Sequence, residues 1–209
     1  MIHEILPVGP LQCNCSIVGD ETSHEAMVID PGDDIEAVME IVKRHRLQVK
    51  QIVVTHAHID HVGGAAKLKQ LTGAPILLNQ NDYELLRMLD TQAAWLGMRS
   101  PGKLAIDGSV GGGDTVKAGA HEAKVLYTPG HTEGSICLYF EPEKRVIAGD
   151  TLFAGGIGRT DLTGGSYEKI MRSLHESVLA LPDETVVVPG HGPLTTIGEE
   201  RESNPFLRE

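Results

Sequence analysis

Short runs of aliphatic and β-branched residues recur along this chain and break off repeatedly at Gly, Pro, Asp or His. They are CSIVG at 15–19, AMVID at 26–30, QIVVT at 51–55, PILL at 75–78, KVLYT at 124–128, SICLYF at 135–140, KRVIAG at 144–149 and TVVVP at 185–189. Runs of this length and composition read as strands. Their interiors are apolar without alternation, so both faces of the sheets have to be covered, which calls for helices outside a sheet system, an α/β layering. Asp33 stands three residues before Glu36 as a helix cap would, and Ile35, Val38, Met39 and Val42 follow at helical spacing. Ser166 opens a second helix with Ile170, Leu174 and Val178 on one face, and segments 61–72 and 82–96 also read as helical. VIDPG at 28–32 is faintly echoed by VIAGD at 146–150, as a pseudo-duplicated αββα sandwich would produce.

No linker or low-complexity stretch divides the 209 residues, so one domain over 1–209 is expected. At that size folding removes roughly 70% of the unfolded chain's surface from water, enough for a core without disulfides. Three cysteines at irregular spacing are no disulfide framework and fit a reducing compartment. No cationic segment followed by an apolar stretch opens the chain, and no apolar run approaches the roughly 18 residues of a membrane span, so a cytoplasmic protein without membrane partners is expected. A net charge of −11 argues against a nucleic-acid partner, because neutralising phosphates supplies most of that affinity. There is no P-loop or dinucleotide fingerprint, and Gly111, Gly112 and Gly113 read as a turn.

The chemistry collects where the apolar runs end. QIVVT leads into His56-Ala57-His58-Ile59-Asp60-His61, KVLYT into Pro129-Gly130-His131, KRVIAG into Asp150, and TVVVP into Gly190-His191. Strand ends are rigid, so imidazoles and carboxylates placed there can converge on a point at little entropic cost. Donors of this type suit zinc, manganese or iron, and the lack of paired thiolates argues against a structural Cys-rich zinc site. His3, His24, His45, His121 and His175 follow no such pattern and read as surface or packing residues, and Cys13 and Cys15 as small buried strand residues.

THAHIDH at 55–61, TPGH at 128–131, GDTLF at 149–153, GRTD at 158–161 and PGHGP at 189–193 together resemble the metallo-β-lactamase superfamily, within it the glyoxalase II-like branch. The ending from Gly198 to Phe206 is similar to the short, single-domain bacterial form of that enzyme. The resemblance implies an αββα sandwich of the metallo-β-lactamase fold and two divalent ions, zinc foremost, with iron or manganese accepting the same donors. It implies His56, His58 and His131 on one ion, Asp60, His61 and His191 on the other, Asp150 bridging, and Asp30 supporting the ligands from outside. Arg159 falls where the two-domain enzyme has a basic residue that contacts glutathione, whereas Asp161 replaces an aromatic expected two positions on. Arg201 and the Asn204-Pro205 turn are expected to anchor the tail.

The activity so implied is glyoxalase II-like: a metal-bound hydroxide attacks a thioester carbonyl, with Asp60 and Asp150 as the catalytic carboxylates. The substrate is a small anionic thioester, S-lactoylglutathione or a related hydroxyacylglutathione. Two dications against Asp60, Asp150 and hydroxide leave the centre net positive, so an anion can bind within an acidic protein. The same motifs also resemble a mononuclear iron persulfide dioxygenase, in which His56, His131 and Asp150 would form the metal-binding face. PGHGP at 189–193 favours the hydrolase. A lactonase or β-lactamase would share the metal chemistry.

Overall fold

The computed structural model describes residues 1–208. Its strands are β1 (Ile2–Val8), β2 (Cys13–Gly19), β3 (Glu25–Ile29), β4 (Gln48–Val54), β5 (Ile76–Leu78), β6 (Thr115–Ala118), β7 (His121–Tyr127), β8 (Ile136–Phe140), β9 (Arg145–Gly149), β10 (Leu152–Phe153), β11 (Gly156–Ile157), β12 (Val186–Pro189) and β13 (Thr195–Thr196). The helices are α1 (Ile35–Arg44), α2 (Ile59–Val62), α3 (Ala65–Thr72), α4 (Tyr83–Leu86), α5 (Leu89–Leu96), α6 (Tyr167–Ser173) and α7 (Ile197–Ser203). One sheet has the order β1-β2-β3-β4-β5, the other β13-β12-β9-β8-β7-β6, and β10 and β11 form a small hairpin. Parallel pairs, β3 with β4, β4 with β5 and β9 with β12, occur where the chain crosses over through helices or long loops.

Period-2 geometry explains how an unbroken apolar run serves two layers. In β4, Val53 enters the inter-sheet core, while Ile52 and Val54 pack outward with Ile35, Val38, Val42 and Leu68 of α1 and α3. In β9, Ile147 faces the other sheet, while Val146 and Ala148 pack outward with Ile170, Leu174, Val178 and Ile197. Phe140, fully buried between the sheets, contributes about 1.5–3 kcal/mol by leaving water. The αββα sandwich is thus present. Among the described residues no helix is long and apolar enough to cross a membrane.

Several local expectations are corrected. Helix α1 begins one residue later than the Asp33 cap implies: Asp34 precedes it in the left-handed region at φ 51, with no side-chain cap bond. Asp33 Oδ1 instead accepts from Asp34 N at 2.8 Å, and Asp34 Oδ2 accepts from Gly9 N at 2.8 Å, so both carboxylates serve the turn that enters the helix. Ser166 does cap α6, accepting from Lys169 N, but the helix then widens into a π turn over Leu174–Val178. Segment 61–72 divides into α2 and α3 at Gly63-Gly64, where a Cβ on Gly64 would lie 2.5 Å from Ile35 Cδ1 and from Pro31 O. Segment 82–96 is a 3-10 turn over Gln80–Asp82 followed by α4 and α5.

Candidate metal centre

The ends of β4 in one sheet and of β7, β9 and β12 in the other lead into the loops that bring the predicted donors together. His56, His61 and His131 are buried, and Asp60, Asp150 and His191 are partly so. His58 Nδ1 lies 3.0 Å from His56 Nε2 and 2.9 Å from His131 Nε2, so three imidazole nitrogens converge. Beside them, Asp60 Oδ2 lies 3.1 Å from His191 Nε2 and 3.7 Å from His61 Nε2. Asp150 stands between the clusters, with Oδ2 3.5 Å from His131 Nε2 and Oδ1 3.3 Å from His61 Nε2. His61 Nε2 and Asp150 Oδ1 are buried without a hydrogen-bond partner. An orphaned lone pair facing an orphaned carboxylate oxygen costs free energy unless a cation lies between them, so the donors fit metal ions.

Contacts outside the clusters assign the tautomers. His131 Nδ1–H donates to Arg159 O at 2.8 Å, His191 Nδ1–H to Leu11 O at 2.9 Å, and His61 Nδ1–H to Asp30 Oδ2 at 2.9 Å. Thr55 Oγ1 donates to Asp30 Oδ2 at 2.7 Å and therefore accepts from His56 Nδ1–H at 3.1 Å. In each of these four imidazoles the Nε2 lone pair is left pointing inward. Asp30, held in the left-handed region at φ 53, also accepts from Thr55 N.

The electrostatics divide along the same line. Burial, aided by the neighbouring imidazoles, keeps His56 far below its ordinary pKa, brings His58 down to about 3 and lowers His131, so these rings stay neutral. For Asp60, burial favours the neutral acid, but the attraction of His61 and the hydrogen bond from His191 override it and hold the carboxyl well below the usual range. Burial opposes charge on His61 too, yet the carboxylates of Asp150, Asp60 and Asp30 together push it up. The acidic half therefore attracts positive charge. Gly190 leaves room for the arrangement: a Cβ there would lie 2.1 Å from Asp150 Oδ1 and 2.8 Å from His61 Cε1.

Arg159 is placed differently from a free substrate anchor. Its guanidinium is gripped by Asp161 through bonds of 2.9 and 2.7 Å and is 61% exposed, while its carbonyl orients His131. The five other histidines lie outside the clusters; His3 contacts Ser16, His45 contacts Glu4, and His121 contacts Glu143. Arg201 pairs with Asp183, and Asn204 Nδ2 donates to Gly156 O, so the tail is pinned on the β10–β11 hairpin as expected.

Supporting residues that carry no motif also emerge. Cys13 Sγ lies 3.5 Å from His61 Nδ1, and burial pushes this thiol up to about 12, so it stays protonated. Asn14 Nδ2 donates to Pro189 O and Gly192 O, bracing the His191 turn. Gln92 accepts from Ile59 N and donates to Ala57 O, and Asp82 accepts from Ala57 N. Of these, only the Cys13–Cys15 alternation gave a sequence signal.

The chain matches the Metallo-beta-lactamase superfamily model over residues 8–191. It is 40% identical over 206 residues to hydroxyacylglutathione hydrolase GloC of Haemophilus influenzae, covering 98% of this chain and 97% of that one. Among solved structures it is similar to BLEG-1 B3 metallo-beta-lactamase, with a TM-score of 0.92, 35% identity and complete coverage of both chains. It is similar to TTHA1623 in a di-iron-bound form at TM-score 0.88 and 37% identity, covering 98% of this chain and 100% of that one. For ETHE1 from Myxococcus xanthus the TM-score is 0.83 and the identity 30%, over 98% of this chain and 84% of that one. With donors at the strand ends of an αββα sandwich and a family match across most of its length, the chain belongs to the metallo-β-lactamase superfamily.

Proposed function

We propose that this chain is a single-domain, metal-dependent thioester hydrolase whose substrate class is the hydroxyacylglutathiones, with S-lactoylglutathione foremost. In this reading His56, His58 and His131 hold one divalent ion, Asp60, His61 and His191 a second, and Asp150 spans both. Zinc is the first choice, with iron or manganese compatible with the same donors. The observation that carries the reading is Asp150, whose two oxygens face the two clusters separately, with His61 Nε2 and Asp150 Oδ1 left without other partners. The 40% identity to GloC supports the substrate class.

Bound divalent ions lower the pKa of a coordinated water from about 15.7 to near 7 and polarise a carbonyl oxygen. The chain's residues supply the rest. Outer hydrogen bonds from Asp30, Thr55, Arg159 O and Leu11 O hold the rings in the donor tautomer. Asp60, kept ionised beside His191, acts as a ligand. A thiolate leaves without a strong acid, since its conjugate acid has a pKa of about 8.5. An anionic thiol portion binds Arg159 by displacing Asp161 from the guanidinium. Three buried free cysteines, Cys13, Cys15 and Cys137, accord with the cytoplasm.

The test is anaerobic hydrolysis of S-lactoylglutathione by protein of measured metal content, alongside Asp60→Ala and chelator-treated samples. Turnover that both controls abolish is expected. Absence of turnover at every metal loading, with oxygen consumption on glutathione persulfide by iron-loaded protein, overturns the hydrolase in favour of the dioxygenase. The hydrolase is preferred because Asp60, His61 and His191 form a second complete cluster, which a single-iron centre leaves without a use.

A further inference from the structure

Asp82 belongs to none of the motifs, yet it is 1% exposed and fully engaged. It ends the 3-10 turn that follows β5, on the rim of the first sheet. Its Oδ2 accepts from Ala57 N at 2.9 Å and from Thr132 Oγ1 at 2.8 Å, and its Oδ1 accepts from Gly134 N at 2.6 Å. Ala57 lies between His56 and His58, and Thr132 directly follows His131. One carboxylate therefore ties together two loops, one extending from each sheet, that bear all three imidazoles of the neutral cluster. The Ala57 peptide is gripped from its other side as well, its carbonyl accepting from Gln92 Nε2 at 3.2 Å. Thr132 is held in turn by Ser135, whose Oγ accepts from Thr132 N at 3.1 Å.

The chemistry of the two clusters gives the contact its meaning. The Asp60 half carries its own carboxylate, whereas the three-imidazole half has only the shared Asp150. Asp82 is a buried carboxylate in no salt bridge with Lys or Arg, its donors being two backbone amides and one hydroxyl. A buried charge in that position is costly unless positive charge lies near, and a divalent ion among His56, His58 and His131 supplies it.

We infer that Asp82 is a positioning residue for the three-imidazole half of the centre, fixing the separation of its two ligand loops and favouring a cation there. The inference rests on the two-ion reading proposed above. An asparagine at this position has one acceptor where the aspartate has two. Facing one way, its NH2 meets the Gly134 N–H; facing the other, it meets the Ala57 N–H. Either way one buried amide loses its partner and the loops lose their common anchor. Removing an outer-shell partner of this kind lowers metal affinity about 10- to 100-fold.

The experiment is a cobalt(II) titration of metal-free protein, following the d–d absorbance and the bound metal by atomic analysis. Wild type is expected to take up two equivalents. In an Asp60→Ala background, where the remaining ion occupies the three-imidazole half, adding Asp82→Asn is expected to weaken binding about 10- to 100-fold and to change the spectrum. In Asp82→Asn alone, one equivalent stays tight. Thr132→Val removes one of the three bonds and is expected to give a smaller loss in the same half, while Thr132→Ser keeps the hydroxyl and restores wild-type affinity. This pair keeps the test alive if Asp82→Asn folds poorly. A merely structural role would weaken both halves together, and that result overturns the inference. Unchanged affinities in Asp82→Asn and Thr132→Val, with two equivalents in wild type, overturn it alone. Fewer than two equivalents in wild type overturn the two-ion reading and the inference with it.

Discussion

Replacing Asp30 with asparagine probes how far the outer hydrogen bonds define the centre. The native carboxylate accepts from Thr55 N at 2.7 Å, Thr55 Oγ1 at 2.7 Å and His61 Nδ1 at 2.9 Å, and is 1% exposed. An amide cannot satisfy all three. With its oxygen toward Thr55 Oγ1 and His61, its NH2 confronts the Thr55 N–H, leaving a buried donor unpaired at a cost of about 1–3 kcal/mol. With its oxygen toward Thr55 N, its NH2 faces His61 Nδ1, which then accepts, so the ring proton moves to Nε2. That proton points at Asp60 and Asp150 and removes the lone pair an ion requires. The expected loss is about 10- to 100-fold in metal affinity, or roughly 1.4–2.7 kcal/mol at 1.36 kcal/mol per decade. It should fall on the half that contains His61. Chelator-competition titration measures the affinity, and urea unfolding of the metal-free protein measures the stability cost. An Asp30→Asn protein with wild-type affinity in both halves and an unchanged urea midpoint would refute the assignment of His61's tautomer to Asp30.

Three further outcomes are expected. Asp161→Asn loosens the carboxylate grip on Arg159 and should lower KM for an anionic glutathione thioester by a few-fold while leaving kcat nearly constant; steady-state kinetics against a neutral thioester provide the control. Glu200 is 2% exposed and accepts from Thr195 Oγ1, Gly155 N and Asn204 Nδ2; Glu200→Met removes both oxygens, leaves the buried Gly155 N–H without this acceptor and should cost at least about 1–3 kcal/mol in urea unfolding. His3 accepts from Arg145 at Nδ1 and donates from Nε2 to Ser16, and burial together with Arg145 lowers its pKa to about 4. Its folded pKa lies below the unfolded 6.5, so the unfolded chain binds the extra proton. This contribution is complete above pH 6.5 and is lost as pH falls toward 4, by about 2 kcal/mol between pH 6.5 and 5. The slope should be reduced by that amount in His3→Gln when unfolding midpoints are compared with wild type across that range.

The buried strands were legible because each needs a continuous apolar run, and β2, β4, β8, β9 and β12 have one. Strand β1 gives no such signal, because IHEILPV is partly exposed, interrupted by charge and Pro7, and acquires its conformation by pairing along β2. Strand β6 is too short, and β10, β11 and β13 are pairs of residues whose pairing is tertiary. The Asp33–Glu36 spacing does not locate the start of α1, because the chain enters the helix through a left-handed Asp34, which the preceding turn imposes. At the centre, the donors stand out because four of them occupy one string, His56 to His61. Their supports do not: Asp82 reaches 25 residues back to Ala57, and Asn14 reaches 178 residues forward to Gly192, through contacts that no local pattern encodes. Arg159 shows the opposite failure, since its motif position was visible but its ion pair with Asp161 and the role of its carbonyl were not.

Anomalous diffraction from crystals of metal-loaded protein would locate the ions that the seven side chains are proposed to hold. Two peaks are expected, one enclosed by His56, His58 and His131 and one by Asp60, His61 and His191, with Asp150 reaching both. A single peak at full loading, ligated by His56, His131 and Asp150 while Asp60 and His191 stand clear, would contradict the two-ion reading.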